Sequence, residues 1–358
     1  MDSIIDIIVF ILVLGSIIFI HELGHFVAAK SFGVYCAEFA LGMGPKIFSK
    51  KGKETEYTLR ALPVGGFVAM YGEADQEQND VFSGVDPNRS LKNIKTYQKV
   101  IVMLAGVFMN FLMAFAIILT VYSLQPVTVD LPVIGAVVEN SPAQLAGLEA
   151  GDKITTIEIL DQSIAPETYT QLVGFLQSFD YTGDNTLPVY VEYASDGQIA
   201  NTVVEAKYNE EIMAYQLGIE ASTVRLSFDQ AFRSSAKSLG YVSLSVLGTL
   251  GKLVTGDSQT ISQVSGPVGI FNITSQVRDQ GAAQLAMVVA MLSANIGIFN
   301  LLPIPGLDGS QVIFALIEKA LGREIPVNIR YALQLAGLAL VFGLMILITV
   351  NDITKIFK

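Results

Sequence analysis

A chain of 358 residues in which 51% are hydrophobic and only 15% charged is poor in charge for a soluble domain, where about a quarter of residues are charged. Its net charge of −11, with no basic stripe anywhere, excludes nucleic acid as a partner. The single cysteine, Cys36, excludes an internal disulfide and reads as a small buried residue.

The apolar excess is concentrated in four stretches, Ile4 to Ala29, Val100 to Leu124, Ala282 to Leu302 and Tyr331 to Val350. Each is long enough to cross about 30 Å of hydrocarbon as a helix, so the expected fold class is a polytopic α-helical membrane protein with four transmembrane helices. The first segment, 1–30, has no basic n-region and no small-residue cleavage site, and is expected to remain as a span rather than a signal peptide. It holds both histidines of the chain, in the string His21-Glu22-Leu23-Gly24-His25. On a helix the i, i+4 spacing points both imidazoles to one side, where they can bind Zn²⁺ with Glu22 beside them as general base toward water. Three ionisable groups inside a bilayer are costly and persist when they pair, bind an ion or face water.

Segment 31–99 carries ten lysines and arginines if Lys30 is included. The positive-inside bias therefore places it in the cytoplasm. Within it, Phe39 to Pro45 and Glu56 to Met70 read as strands turning around Pro63 and the pair Gly65-Gly66 near the membrane surface. Such a hairpin either offers an edge to an extended peptide or simply packs the loop as a small sheet. Glu73 to Arg89 reads as a mobile loop. After the second span, 100–124, the segment 125–224 has only Lys153 and Lys207 as basic residues and is expected outside. Strands at Val133–Val138, Lys153–Ile159, Leu187–Tyr193 and Asn201–Lys207, around a helix near Tyr169–Ser178, make it a compact extracytoplasmic domain. Segment 225–281 has apolar residues at helical spacing from Phe228 to Leu253 and is expected to lie as one or two amphipathic helices, with a linker, on the outer membrane face. The third span and its end occupy 282–310, a cytoplasmic loop marked by Lys319, Arg323 and Arg330 occupies 311–330, and the fourth span with its tail occupies 331–358.

Two histidines leave room on zinc for one further protein ligand and a water. With no third histidine, that ligand is an Asp or Glu, or Cys36. The best candidate is Asp308 in Asn300-Leu-Leu-Pro-Ile-Pro-Gly-Leu-Asp308-Gly309, where two prolines break the helix and two glycines let a carboxylate turn inward.

The zinc string, the loop Arg60 to Phe67, the string Ala105-Gly-Val-Phe-Met-Asn110-Phe, the segment Ile134 to Lys153, Ser265-Gly-Pro-Val-Gly269 and Asn300 to Gly309 together resemble a bacterial member of the site-2 protease family of intramembrane zinc metalloproteases. The resemblance implies His21, His25 and Asp308 as zinc ligands and Glu22 as catalytic acid/base. It also implies a membrane-associated β-hairpin at Gly65 and Gly66 that guides the substrate, and Asn110 and Asn300 as polar groups holding the substrate backbone. The segment from Ile134 is similar to a single PDZ domain of α+β type inserted between spans, and could take peptide C-termini or act as a size filter. The implied function is peptide-bond hydrolysis within spans of single-span membrane proteins, such as anti-sigma factors after a first outside cut, or of signal-peptide remnants. The implied location is the cell membrane, with the active site toward the cytoplasm. The competing readings are a catalytically idle scaffold working through the PDZ-like domain, and a metal or proton transporter.

Overall fold

The computed structural model describes residues 2–73, 82–179, 185–210, 213–254 and 266–356. The chain divides into two compact units, one made of Met1–Val121 with Phe232–Lys358 and the other of Tyr122–Ala231.

The larger unit begins with α1 (Asp2–Ser31), a helix apolar from Ile7 to Ile20 apart from Gly15 and Ser16 and then carrying the His21-Glu22-Leu23-Gly24-His25 string. Two long strands follow, β1 (Cys36–Lys51) and β2 (Glu56–Met70). Their pairing is more elaborate than a hairpin. The second half of β1 pairs with the first half of β2 (Lys51↔Glu56, Phe48↔Leu59), while Phe39 in the first half of β1 has Tyr57 on one side and Val68 on the other. The strands thus act as four segments in the order 46–51, 56–60, 36–41 and 66–70. The breaks fall at glycines in the left-handed region, Gly42, Gly44 and Gly65, where a β-carbon would be strained.

Met43, Ile47, Phe48, Leu59 and Leu62 are exposed around the tip of this sheet. Its other end is fixed to α1 by charge. Glu54 accepts hydrogen bonds from Lys30 and Arg89, and Arg89 also donates to the Gly33 carbonyl at 3.1 Å. Burial pushes the Glu54 carboxyl up, but the hydrogen bonds from Arg89 and Lys30 outweigh it and hold the group below the ordinary carboxylate range. Cys36, Phe39, Val68 and Met70 of the sheet pack with Ala29, Val34, Val102 and Met103 in one apolar cluster. That cluster joins α1, the sheet and α2 (Thr96–Leu124). Of the segment read as a mobile loop, 74–81 lie outside the described residues, and Pro87–Arg89 form a short 3₁₀ turn.

In the smaller unit, β3 (Val127–Thr128) pairs with β11 (Thr223–Val224), and β4 (Ile134–Val137) with β10 (Ile219–Ala221). The main sheet is five-stranded: β6 (Gln162–Ile164), β5 (Lys153–Ile159), β7 (Thr186–Ser195), β8 (Gln198–Asn209) and β9 (Ala214–Gln216), in that spatial order. Two helices pack on it, the single turn α3 (Pro142–Leu145), capped by Ser141, and α4 (Tyr169–Gln177), capped by Thr168. The core is built from alternate residues of the strands, Ile157 and Ile159, Val189 and Val191, Val204 and Ala206, with Leu172 and Leu176 of α4. The pair Gly183-Asp184, which by composition signals a turn, lies outside the described residues.

The chain returns to the larger unit through α5 (Phe228–Val254), one helix of 27 residues with Phe232, Tyr241, Leu244 and Leu247 exposed. Ser265 of the Ser-Gly-Pro-Val-Gly string lies outside the described residues, but the rest opens α6 (Pro267–Arg278). The Asp352 carboxylate accepts from the backbone N–H of Gly266 and of Gly269, at 2.8 and 2.9 Å, and so caps this helix from a residue more than eighty positions away. Arg278, in its last turn, pairs with Asp6 of α1. Three helices complete the chain: α7 (Ala282–Leu301), α8 (Asp308–Leu321) and α9 (Val327–Ile356).

A loop was expected over 311–330, yet most of it is helical. The charges at Lys319 and Arg323 obscured an apolar stripe in which Phe314 and Ala315 are buried, and Gly322 at φ 66 ends the helix in a left-handed cap. Among the described residues four helices are long and apolar enough to span a bilayer: Ile4–Ser31, Thr96–Leu124, Ala282–Leu301 and Val327–Val350.

Candidate metal centre and active site

α1 sets His21 and His25 one turn apart on one face, edge to face, with ring centroids 4.8 Å apart. α2 crosses this face at very short range. A β-carbon on Gly24 would stand 2.4 Å from the Ala105 carbonyl, and one on Gly106 would stand 2.4 Å from His25 Nε2 and 2.9 Å from His21 Nε2. Glycine at both positions lets the two backbones meet, as at close helix crossings in membranes. α2 also holds the rings. His25 Nδ1 lies 2.8 Å from the Val102 carbonyl, and the Asn110 amide lies 3.2 Å from His21 Nδ1. A backbone carbonyl only accepts, so Nδ1 of His25 carries the proton and its Nε2 lone pair faces inward.

Asp308 arrives from the opposite side. α7 stops at Leu302, Pro303 and Pro305 prevent its continuation, Gly306 takes φ 96, and Asp308 opens α8. The turn is tight enough that a β-carbon on Gly309 would fall 2.3 Å from the Leu301 carbonyl. Asp308 Oδ2 ends 3.1 Å from His21 Nε2 and 3.3 Å from His25 Nε2, and the two nitrogens are 3.2 Å apart.

Asp308 Oδ2 is buried and, despite those short approaches, makes no hydrogen bond of acceptable geometry. With their lone pairs turned inward, three ligand atoms converging so closely repel one another unless a cation lies among them. The triangle also has the right size. Tetrahedral ligands at about 2.0–2.1 Å from zinc stand about 3.3 Å from one another, against 3.1 to 3.3 Å here. These three residues are also the one His/Cys/Asp/Glu group among those described whose ligand atoms lie within 4.8 Å of each other. The donor set therefore fits a three-protein-ligand zinc site with a position left open.

A cavity of about 450 Å³ opens on this triangle, lined by Glu22, by Gly66 to Val68 of β2, by Gly306 to Asp308, and by Tyr331, Gln334, Leu335 and Leu338 of α9. Gly66 packs directly on Glu22: a β-carbon there would be 3.0 Å from Glu22 Cγ and 2.9 Å from the Ala40 carbonyl. The outer edge of 66–70 has no partner strand among the described residues and faces the cavity. Gly65 lies one residue away, beneath Met43. Asn110 and Asn300 are not among the lining residues. Asn110 is fully buried behind His21, and Asn300 is half-buried one residue before the end of α7. Cys36 is buried in the cluster joining α1, the sheet and α2 and takes no part in the triangle. Burial pushes its thiol up to about 12.

The smaller unit has a groove of its own, about 210 Å³, between α4 and residues 214–219. Tyr169 lines it and donates to the Ile219 carbonyl at 2.9 Å. Burial, with Glu220 nearby, raises its phenol above the ordinary range and keeps it a donor.

The His21-Glu22-Leu23-Gly24-His25 string at the face of a helix, the inward carboxylate and the apolar spans define a membrane zinc peptidase. Residues 9–344 match the model of peptidase family M50, and the chain belongs to that family. It is 36% identical over 348 residues to a Clostridium perfringens protein whose name includes "zinc metalloprotease", covering 96% of this chain and 97% of that one. It is 30% identical to the zinc metalloprotease RasP of Bacillus licheniformis and 30% identical to the regulator of sigma-W protease RasP of Bacillus subtilis, in each case over 98% of this chain and 99% of the relative. The chain is a zinc-dependent metalloprotease of the site-2 protease type and a multi-pass membrane protein.

Proposed function

We propose that His21, His25 and Asp308 hold the zinc, that Glu22 is the catalytic acid/base, and that the outer edge of 66–70 receives the substrate as an added strand. The observation that carries this reading is the triangle of ligand atoms opening on one cavity with Glu22 and that edge. Zinc bound there polarises the scissile carbonyl and makes a neighbouring water acidic. Glu22 takes the proton from the attacking water and gives it to the leaving amine, so the carboxylate is restored at each turnover. Pairing with β2 holds the peptide extended and replaces hydrogen bonds that the substrate's helix gives up, a need that is acute inside hydrocarbon. Gly65 and Gly66 leave the strand room to pass close to Glu22.

By the charge bias, the sheet and α8 lie on the cytoplasmic side and the smaller unit outside. The exposed apolar tip of the sheet fits immersion in the bilayer. The smaller unit works as a PDZ-like domain whose groove beside α4 accepts an apolar C-terminus or bars uncut ectodomains. The substrates are single-span proteins, and the name of the Bacillus subtilis relative supports anti-sigma regulators as a class. The test is cleavage of a membrane-embedded single-span protein by purified wild type and Glu22→Gln, with zinc measured in both. The expected result is cutting within the span by the wild type alone, with equal zinc. Equal zinc and no cutting by either would replace this reading with an inactive scaffold.

A further inference from the structure

Asn110 is the polar side chain on α2 nearest the ligand triangle. The resemblance that singled it out implies contact with substrate, but its surroundings do not allow one. Its side chain is fully buried and absent from the cavity lining. Ser293 of α7 donates to its backbone carbonyl at 2.9 Å, and a β-carbon on Gly297 would lie 3.5 Å from Asn110 Cβ. The residue is clamped between two helices, and among the described residues its side chain has one hydrogen-bond partner, His21 Nδ1, at 3.2 Å.

With the amide nitrogen placed toward the ring, two things go wrong together. Asn110 Oδ1 is left buried without a hydrogen-bond partner among the described residues, a costly arrangement. The amide nitrogen would also donate to Nδ1, which forces the ring proton onto Nε2, the atom that faces Asp308. Amide oxygen and nitrogen are nearly isosteric, and exchanging them by rotation about the last side-chain bond repairs the second fault, while the partnerless position passes from Oδ1 to the amide nitrogen. Oδ1 then accepts the Nδ1 proton, and Nε2 presents a lone pair.

We infer that Asn110 is a positioning residue for His21, its side-chain carbonyl fixing the tautomer and ring orientation that leave Nε2 free for zinc. This rests on His21 being a zinc ligand. Val102 does the same for His25 through its backbone carbonyl. Val102, Gly106 and Asn110 are spaced four apart, so one stripe of α2 serves both imidazoles: a carbonyl at one end, an amide at the other, and a bare glycine between them against the rings.

The test is zinc affinity, measured by competition with a graded chelator on the purified full chain in detergent, alongside thermal unfolding. Asn110→Ala removes the acceptor and is expected to weaken zinc by about 10- to 100-fold. Asn110→Asp keeps an acceptor but has no amide donor, and is expected to hold zinc within about threefold of wild type. Should the alanine variant fail to fold, Asn110→Leu fills the space without an acceptor and is expected to lose zinc equally. Wild-type affinity in the alanine or leucine variant overturns the inference, as does an aspartate variant as weak as alanine. His21→Ala separates the two levels. If it keeps full affinity, the ligand assignment itself fails and this inference with it. If it loses zinc while Asn110→Ala does not, only the role of Asn110 is refuted.

Discussion

Substituting Gly106 by alanine adds one methyl group to the face of α2 that lies against the two imidazoles. The added carbon would lie 2.4 Å from His25 Nε2, 2.8 Å from His21 Cε1 and 2.9 Å from His21 Nε2. Ordinary contact is about 3.5 Å, so the His25 ring must retreat by about 1 Å. It cannot swing freely, because its Nδ1 is bonded to Val102 on the same helix. Withdrawal of α2 would open the packed cluster that holds Val102 and Met103 against α1 and the sheet. Overpacking of this kind costs about 1–3 kcal/mol, and displacing a metal ligand well beyond about 0.5 Å spoils a site. Zinc affinity is expected to fall about 10- to 100-fold, and cleavage at saturating zinc about 100-fold or more. The control is Gly15→Ala in α1, where a β-carbon meets nothing within 4 Å and both quantities are expected to stay within about twofold. Chelator competition and single-turnover cleavage of a single-span substrate measure the pair. A Gly106→Ala protein with wild-type zinc affinity and cleavage would refute the claim that α2 sets the ligand geometry.

Gly66→Val is expected to retain zinc but to lose about 100-fold in cleavage, because the side chain displaces Glu22 and blocks the strand edge at once; zinc loss in this variant would contradict the assignment. Asp352→Ala removes the acceptor for two N–H groups at the start of α6 and is expected to lower stability by about 1–2 kcal/mol in a thermal melt, with zinc affinity unchanged and Asp352→Asn recovering most of the loss. Cys36, buried and with its thiol raised to about 12 from its ordinary 9.0, is expected to resist alkylation at pH 8 in the folded protein and to react at once when unfolded. The same shift means the folded state binds the proton more tightly, so the contribution of Cys36 to stability is complete below pH 9 and is lost as pH rises from 9 toward 12. A titration curve rising over that interval would contradict it.

Residues whose chemistry is expensive in a bilayer were the ones legible in the sequence. His21, Glu22, His25 and Asp308 stand out because an apolar span tolerates such groups only for a purpose, and the structure brings all four to one cavity. What escaped the sequence are contributions without a distinctive side chain. Val102 acts through a carbonyl that every residue has, and Gly106 acts through the absence of an atom. The four-segment sheet was hidden because registers depend on partners rather than on local pattern, so Phe39 to Pro45 and Glu56 to Met70 read as the strands of a simple hairpin turning around Pro63 and Gly65-Gly66. The Asp352 cap joins positions that only the packing of α9 against α6 brings together. Asn110 was conspicuous as a polar residue in a span, but the burial of its amide beside His21 was not legible in the sequence.

These hidden contributions share a physical origin. In hydrocarbon an exposed loop has no water to satisfy its backbone, so the ligands cannot be gathered on flexible connections as in many soluble peptidases. Of the three proposed ligands, two come from one face of α1, and the third stands at the first residue of α8, just past a break buried against α9, where a β-carbon on Gly337 would run into the Pro305 carbonyl. A site built from helices is rigid, and rigidity requires close backbone contact, which is why glycine recurs at 24, 106, 309 and 337. The same rigidity means the enzyme cannot wrap around its substrate. The substrate must change shape instead, and the unpaired edge of 66–70 beside Glu22 offers the backbone hydrogen bonds that an unwound span would otherwise lack.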